Sequence, residues 1–140
     1  MSDGAKGIKT GQVREVESKE LKDVAEELLE EGFDHLESLT GVDRPEDGQI
    51  ELIYHVSSYS DSDLREQVIV VKTRVDRETP EIRSLSDFWP NIRYMEAETR
   101  DLLGVRFKGN KLRAPLLLPD ELEGEYPLRK DFEIPEEGIK

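Results

Sequence analysis

Hydrophobic and polar positions along this chain repeat with two periods, and the change of period marks out its elements. Ile50, Leu52, Tyr54 and Val56 are apolar at every second position, which predicts a half-buried strand. Residues 68–71 are continuously apolar, and Thr73 and Val75 continue the alternation, which predicts a central strand. Residues 33–42 read as a further strand or the extended lead into one. Two other stretches repeat at helical spacing. In residues 19–31 the stripe is Leu21, Val24, Ala25, Leu28 and Leu29, with Ser18 placed to cap the start and Gly32 the end. In residues 84–104 the stripe is Phe88, Ile92, Met95 and Leu102. Pro90 suits the first turn of that helix and Gly104 the left-handed residue past its end, so the helix is expected over 90–103. Ser84 with Asp87 fits a capping box on a short turn before it, which makes Trp89–Pro90 a corner.

Turns fall between these segments, at 45–48, 57–63 and 77–80. The connections between strands are too short for crossovers, so antiparallel pairing is expected. A short extended piece follows at 105–107, with a turn at Gly109–Asn110. After residue 111 both periods fail. Pro115, Pro119 and Pro127 forbid regular structure, yet Leu116, Leu117, Leu118, Tyr126, Leu128 and Phe132 are apolar. An irregular stretch this apolar needs a cover, from its own domain or from a partner. The fold class that results is α+β: an antiparallel sheet with helices packed on one face and an extended C-terminal arm. Residues 1–17 are expected to be a flexible tail, 18–111 the α+β domain, and 112–140 a docking arm.

Charge then narrows the partners. With 20 Lys and Arg against 33 Asp and Glu, the formal charge is −13. That argues against nucleic acid and anionic membranes, which need basic patches, and favours solubility or a partner with a basic surface. There is no Cys, so no thiolate-held iron–sulfur or zinc site is expected on this chain. No apolar run reaches the ~20 residues that span a bilayer, and the N-terminus is polar without a signal peptide, so a cytoplasmic location is expected.

Candidate chemistry is sparse. His35 and His55 sit on separate predicted strands without a third ligand motif, and read as structural. No Gly-rich phosphate loop or nucleophile elbow is present. Glu96, Glu98 and Asp101 make the second helix acidic in its middle. Glu98 and Asp101 share a face, and Glu96 can pair with Arg100 on the surface at i, i+4. Ion pairing or partner contact outweighs catalysis for this group. Arg129, Lys130 and Asp131 follow Pro127–Leu128 either as a solvated tail or as a docking group.

Two stretches carry a family resemblance. Trp89 and Pro90 ahead of a helix with Glu96, Glu98, Asp101, Leu102 and Gly104 resemble the signature of the 30-kDa subunit family of respiratory complex I, the NADH dehydrogenase. Pro127, Leu128, Arg129, Lys130, Asp131 and Phe132 resemble the same family's ending, and the resemblance covers about residues 19–132. Departures at Ala97, Asn110–Lys111 and Ala114 bring the chain nearer the related subunits of membrane-bound nickel–iron hydrogenases and ferredoxin-linked complexes. The resemblance implies a cofactor-free accessory subunit, with no active site of its own, in the peripheral arm of a membrane-bound oxidoreductase. It implies docking on the large, hydrogenase-like catalytic subunit beside a small iron–sulfur subunit, on the cytoplasmic face of the cell membrane. Iron–sulfur clusters, and a nickel–iron or quinone site, would belong to those partners, in a complex that couples electron transfer to ion translocation. The interface residues it implies are Glu96, Glu98, Asp101, Pro127, Leu128, Arg129, Lys130, Asp131 and Phe132. The alternative is a free-standing acidic module that regulates a basic protein.

Overall fold

A computed structural model of the chain describes residues 12–64, 66–112 and 125–131. In chain order the elements are strand β1 (Gln12–Glu15), a 3-10 turn (Ser18–Glu20), helix α1 (Leu21–Glu30), β2 (His35–Arg44), β3 (Gln49–Ser57), β4 (Val68–Asp76), β5 (Glu81–Arg83), helix α2 (Ile92–Leu103) and β6 (Arg106–Lys108). Four strands form one sheet in the order β1-β4-β3-β2. β2 with β3 and β3 with β4 are antiparallel, as the short connections require.

The α+β class holds, with two additions. Residues 12–15, expected to belong to a flexible tail, form β1 and lie parallel to β4, so the sheet is mixed. Only Val13 and Val16 mark this strand in the sequence. Its stability comes from the strand it pairs with, and Val16 N–H extends the pairing by donating to the Lys72 carbonyl at 2.9 Å. The second addition is a separate parallel pair of β5 and β6, each three residues long and too short to show a period. Residues 1–11 of the expected tail, and 113–124 and 132–140 of the expected arm, lie outside the described residues.

Register explains why one face of the sheet is core. Tyr54 stands opposite Leu39 on one side and Val71 on the other, and Val56 opposite Leu36 and Ile69. These residues share a face and join one cluster with Leu21, Ala25 and Leu28 of α1 and Ile92 and Leu103 of α2. Both helices therefore cover the same face, as expected. Among the described residues, no helix covers the other face.

Helix α2 turns a different stripe inward from the one its apolar residues suggest. Ile92, Glu96, Thr99 and Leu103 are buried, at i, i+4, i+7 and i+11, whereas Phe88 and Met95 are half-buried at the edge of the core. The reason is that Glu96 finds hydrogen-bond partners inside, so a carboxylate takes a position an apolar count gives to Met95 or Leu102. Thr99 returns its hydroxyl to the Met95 carbonyl at 2.9 Å. Close approach of α2 to the sheet depends on Gly41 of β2: a Cβ there would collide with the Leu103 side chain. Trp89 anchors the entry to the helix, buried, with its Nε1 donating to the Phe33 carbonyl at 3.1 Å.

Candidate functional site

The C-terminal end of α2 is where distant parts of the chain meet. Gly104 adopts the left-handed conformation, φ 86°, and its N–H closes on the Arg100 carbonyl at 2.8 Å. The last-turn carbonyls of a helix have no partner within it. Here residues 126–131 supply them. Leu128 N–H donates to the Leu102 carbonyl at 2.9 Å. Arg129 Nε donates to the Leu103 carbonyl at 2.8 Å, and its Nη2 to the Arg77 carbonyl at 3.2 Å. The guanidinium also complements the negative end of the helix dipole. It lies 5.1 Å from the centre of the Tyr126 ring. That ring rests on Gly104, where a Cβ would stand 2.9 Å from Tyr126 Cε2, so only glycine fits.

Asp43 fastens the same segment from the other side. It is 2% exposed and sits at the inward parity of β2, two residues after Gly41. Arg77 grips both oxygens, Nε to Oδ1 at 2.6 Å and Nη2 to Oδ2 at 2.9 Å. Lys130 N–H donates to Oδ2 at 2.8 Å, and Asp131 pairs with Arg77 Nη2 at 3.1 Å. The Arg77 guanidinium first, against the opposing effect of burial, holds the Asp43 carboxyl below the usual carboxylate range.

Glu96 forms a second buried polar centre. It is fully buried, and takes Ser84 Oγ–H at 2.6 Å, Leu85 N–H at 2.9 Å and Asn110 Nδ2 at 2.9 Å. These donors join the turn before α2 and the turn after β6 to the helix. Burial pushes the Glu96 carboxyl up and the three hydrogen bonds pull it back, leaving it raised. Tyr54, buried with an unbonded hydroxyl, is pushed well above its ordinary value by burial and then by the charge of Glu96. The surface pair expected between Glu96 and Arg100 does not form. Arg100 instead meets Asp101, 3.1 Å from Nε, and the Leu112 carbonyl. Ser84 caps by accepting Ser86 N–H at 3.1 Å, one residue short of the Asp87 of the expected box.

The residues grouped by sequence thus separate. Glu96 and Asp101 are buried, 0% and 4% exposed, Glu96 within the core stripe and Asp101 on the other side of the helix beside Arg100, and Glu98 is exposed. Arg129 and Asp131 are engaged within the chain. Leu128 and Lys130 are exposed, Pro127 is half-buried, and Phe132 lies outside the described residues. On α2, Tyr94, Glu98 and Leu102 follow at i, i+4 and i+8 along the outer face, and the backbone of Leu128 is bonded to that of Leu102. Tyr94 is 61% and Leu128 55% exposed, so an apolar strip runs along the helix and onto the bound segment. His35 stacks on Tyr59 at 3.9 Å, and His55 Nδ1 is 3.1 Å from Ser38 Oγ, so the two act apart. Among the described residues, no three His, Asp or Glu side chains converge as metal ligands, and no helix is long and apolar enough to cross a membrane. Sequence reasoning missed Asp43 and Arg77, and gave Ser84 and Asn110 turn roles without their bonds to Glu96. The one signal was parity: Asp43 continues the inward series of Leu39 and Gly41.

Comparison with known proteins extends this geometry. The family model for the respiratory-chain NADH dehydrogenase 30 Kd subunit matches residues 14–138. A subunit of the F420H2 dehydrogenase of Methanosarcina mazei is 42% identical over 117 residues, covering 80% of this chain and 72% of that one. A subunit of the NADH-quinone oxidoreductase of Moorella thermoacetica is 43% identical over 107 residues, covering 76% of this chain and 69% of the relative. Among solved structures, a chain of the membrane-bound sulfane sulfur reductase, an archaeal respiratory membrane complex, superposes with a TM-score of 0.78 at 30% identity. The match covers 91% of this chain and 76% of that one.

Proposed function

The chain belongs to the respiratory-chain NADH dehydrogenase 30-kDa subunit family, and from that premise we propose that it is a cofactor-free structural subunit that docks through the outer face of α2. As a family member it is a subunit of a multi-subunit, complex-I-like respiratory oxidoreductase. Its place is the peripheral arm on the cytoplasmic side, against the large hydrogenase-like subunit and beside the small iron–sulfur subunit. Redox centres reside in those neighbours, and the electron transfer that they carry out is coupled to ion movement in the membrane part.

The observation that carries this reading is the strip of exposed Tyr94 and Leu128, with half-buried Leu102, on a chain of formal charge −13. Large apolar side chains left in water on so polar a surface mark a contact. Glu98 lies inside the strip, where it can meet a basic group of the neighbour. Glu96, Asp101, Arg129 and Asp131 support the contact indirectly, by holding the helix and the bound segment in place. Their own partners in this chain leave them no need of the neighbour's groups.

The test is affinity purification of the tagged chain from native membranes, for wild type and for Tyr94→Glu with Leu128→Asp. Iron–sulfur and membrane subunits should accompany the wild type in fixed ratio and be lost with the double variant, while the thermal midpoint of the isolated chain stays the same. Recovery of the wild type alone, or with a single basic protein, would favour the free-standing acidic module.

A further inference from the structure

We propose that the C-terminal end of α2, the Arg77 carbonyl and the Asp43 carboxylate form a peptide-recognition site that reads an aromatic-Pro-Leu-Arg-Lys-Asp segment, filled here by the chain's own residues 126–131. The acceptors belong to the domain and do not need the segment for their placement. Leu102 and Leu103 carbonyls are fixed by α2, Asp43 by its place in β2, and Arg77 by its N–H bond to the Gly48 carbonyl at 2.9 Å. The donors belong to the segment: the N–H groups of Leu128 and Lys130 and the fork of Arg129. The pairs bridge 26, 52 and 87 residues of sequence, so the segment meets groups that three other parts of the chain hold in place.

The site is selective for arginine. Two diverging N–H groups of one planar side chain reach two carbonyls on different elements, which a lysine ammonium on a flexible stem does not reproduce. Gly104 is selective for the aromatic ring, because any side chain there occupies the space of Tyr126. Asp43 selects for a free backbone N–H two residues beyond Leu128, and Arg77 for the carboxylate that follows. Apolar burial plays little part, since Leu128 is left 55% exposed. Binding rests on directional polar contacts, and the leucine of the bound segment remains available beside Leu102.

The experiment uses the full chain, followed by amide hydrogen exchange and by titration with a synthetic peptide of residues 125–131. Leu128 and Lys130 amides should be protected in the wild type. Arg129→Lys should speed their exchange at least tenfold and leave Tyr54 and Val71 unchanged. The peptide should shift the Gly104 and Arg77 amide resonances of the Arg129→Ala chain, and the same peptide with alanine for arginine should not. Unprotected Leu128 and Lys130 amides in the wild type, or no response to Arg129→Lys, would overturn the proposal. So would an equal response to both peptides or to neither. Loss of protection at Tyr54 and Val71 in step with Leu128 would also overturn it, because the segment would then be part of the core and not a bound ligand.

Discussion

The sheet core and the end of α2 are held together by different physics. Around Tyr54 and Val71 the contacts are apolar, between neighbours in the sheet and the two helices laid over it. Around Gly104 they are hydrogen bonds and ion pairs between residues up to 87 apart in sequence. Apolar packing is non-directional and degrades by degrees when a side chain is trimmed. A buried polar contact is directional, and removing one partner leaves the other unpaired. The first region sets whether the chain folds. The second fixes the surface that α2 shows to its surroundings.

The sharpest test of the apolar side is Trp89→Ala. It removes the largest of the fully buried side chains and leaves the Phe33 carbonyl without its donor. A loss of about 3–5 kcal/mol is expected in denaturant titration of the isolated chain. A loss below about 1 kcal/mol would mean that the corner before α2 is not part of the core.

Next in size is Arg77→Ala, on the polar side. Asp43 would stay buried with the Lys130 N–H as its remaining donor, a penalty of about 3 kcal/mol. The comparison then predicts a pH signature that the tryptophan variant lacks. The folded Asp43 carboxyl lies below its unfolded value of 3.8, so its contribution to stability is present above that pH and is lost as pH falls through the folded value. The gap between wild type and Arg77→Ala should be full at neutral pH and shrink as pH falls through the carboxylate range, whereas the gap for Trp89→Ala should persist. An acid titration of the unfolding free energy of all three chains reads this directly. Arg129 joins the same cluster, so cutting the chain before Pro127 should weaken assembly while the isolated domain stays folded.

The two regions are unequally legible for the same reason. Ile50, Leu52, Tyr54 and Val56 state their face in four residues, because a strand's period is local. Leu21, Ala25 and Leu28 do so for α1. An apolar count misplaces the inward face of α2, because Glu96 and Thr99 stand where it looks for Met95 and Leu102. Ile92 and Leu103, eleven residues apart and so on one side of the helix, hold the correct answer. Gly41 gives no local hint that a helix passes over it. Asp43 and Lys130 cannot be joined by any periodicity. Family resemblance picks out Pro127–Leu128–Arg129 as a contact group, and the structure shows its first contact to be within the chain.

A smaller effect separates Glu96 from its isostere. Glu96→Gln keeps the shape, but an amide nitrogen must now face one of the three donors that the carboxylate accepted. Relief from burying a charge offsets part of that conflict, since the carboxyl is already raised by burial. A net loss of about 1–2 kcal/mol is expected by thermal melting of the isolated chain. Ser84→Ala should recover none of it. A gain in stability would show that desolvation of Glu96 outweighs its hydrogen bonds.

The smallest expected effect is that of Glu98→Gln, two residues along the same helix. Glu98 is exposed on the outer face between Tyr94 and Leu102, away from the core stripe. A surface change of this kind moves stability by no more than about 0.5 kcal/mol. Its consequence should fall on assembly instead, since an exposed charge within an apolar strip is desolvated when a neighbour covers it. If a basic group of the neighbour meets it there, loss of the charge weakens association and makes it less sensitive to salt. Co-purification from membranes at low and high ionic strength, beside the melting midpoint of the isolated chain, separates the two readouts. An unchanged midpoint with reduced recovery at low salt is the expected result. Unchanged recovery at both salts would leave Tyr94 and Leu128 to account for docking without a charge contact, and a lowered midpoint would place Glu98 with the buried network after all.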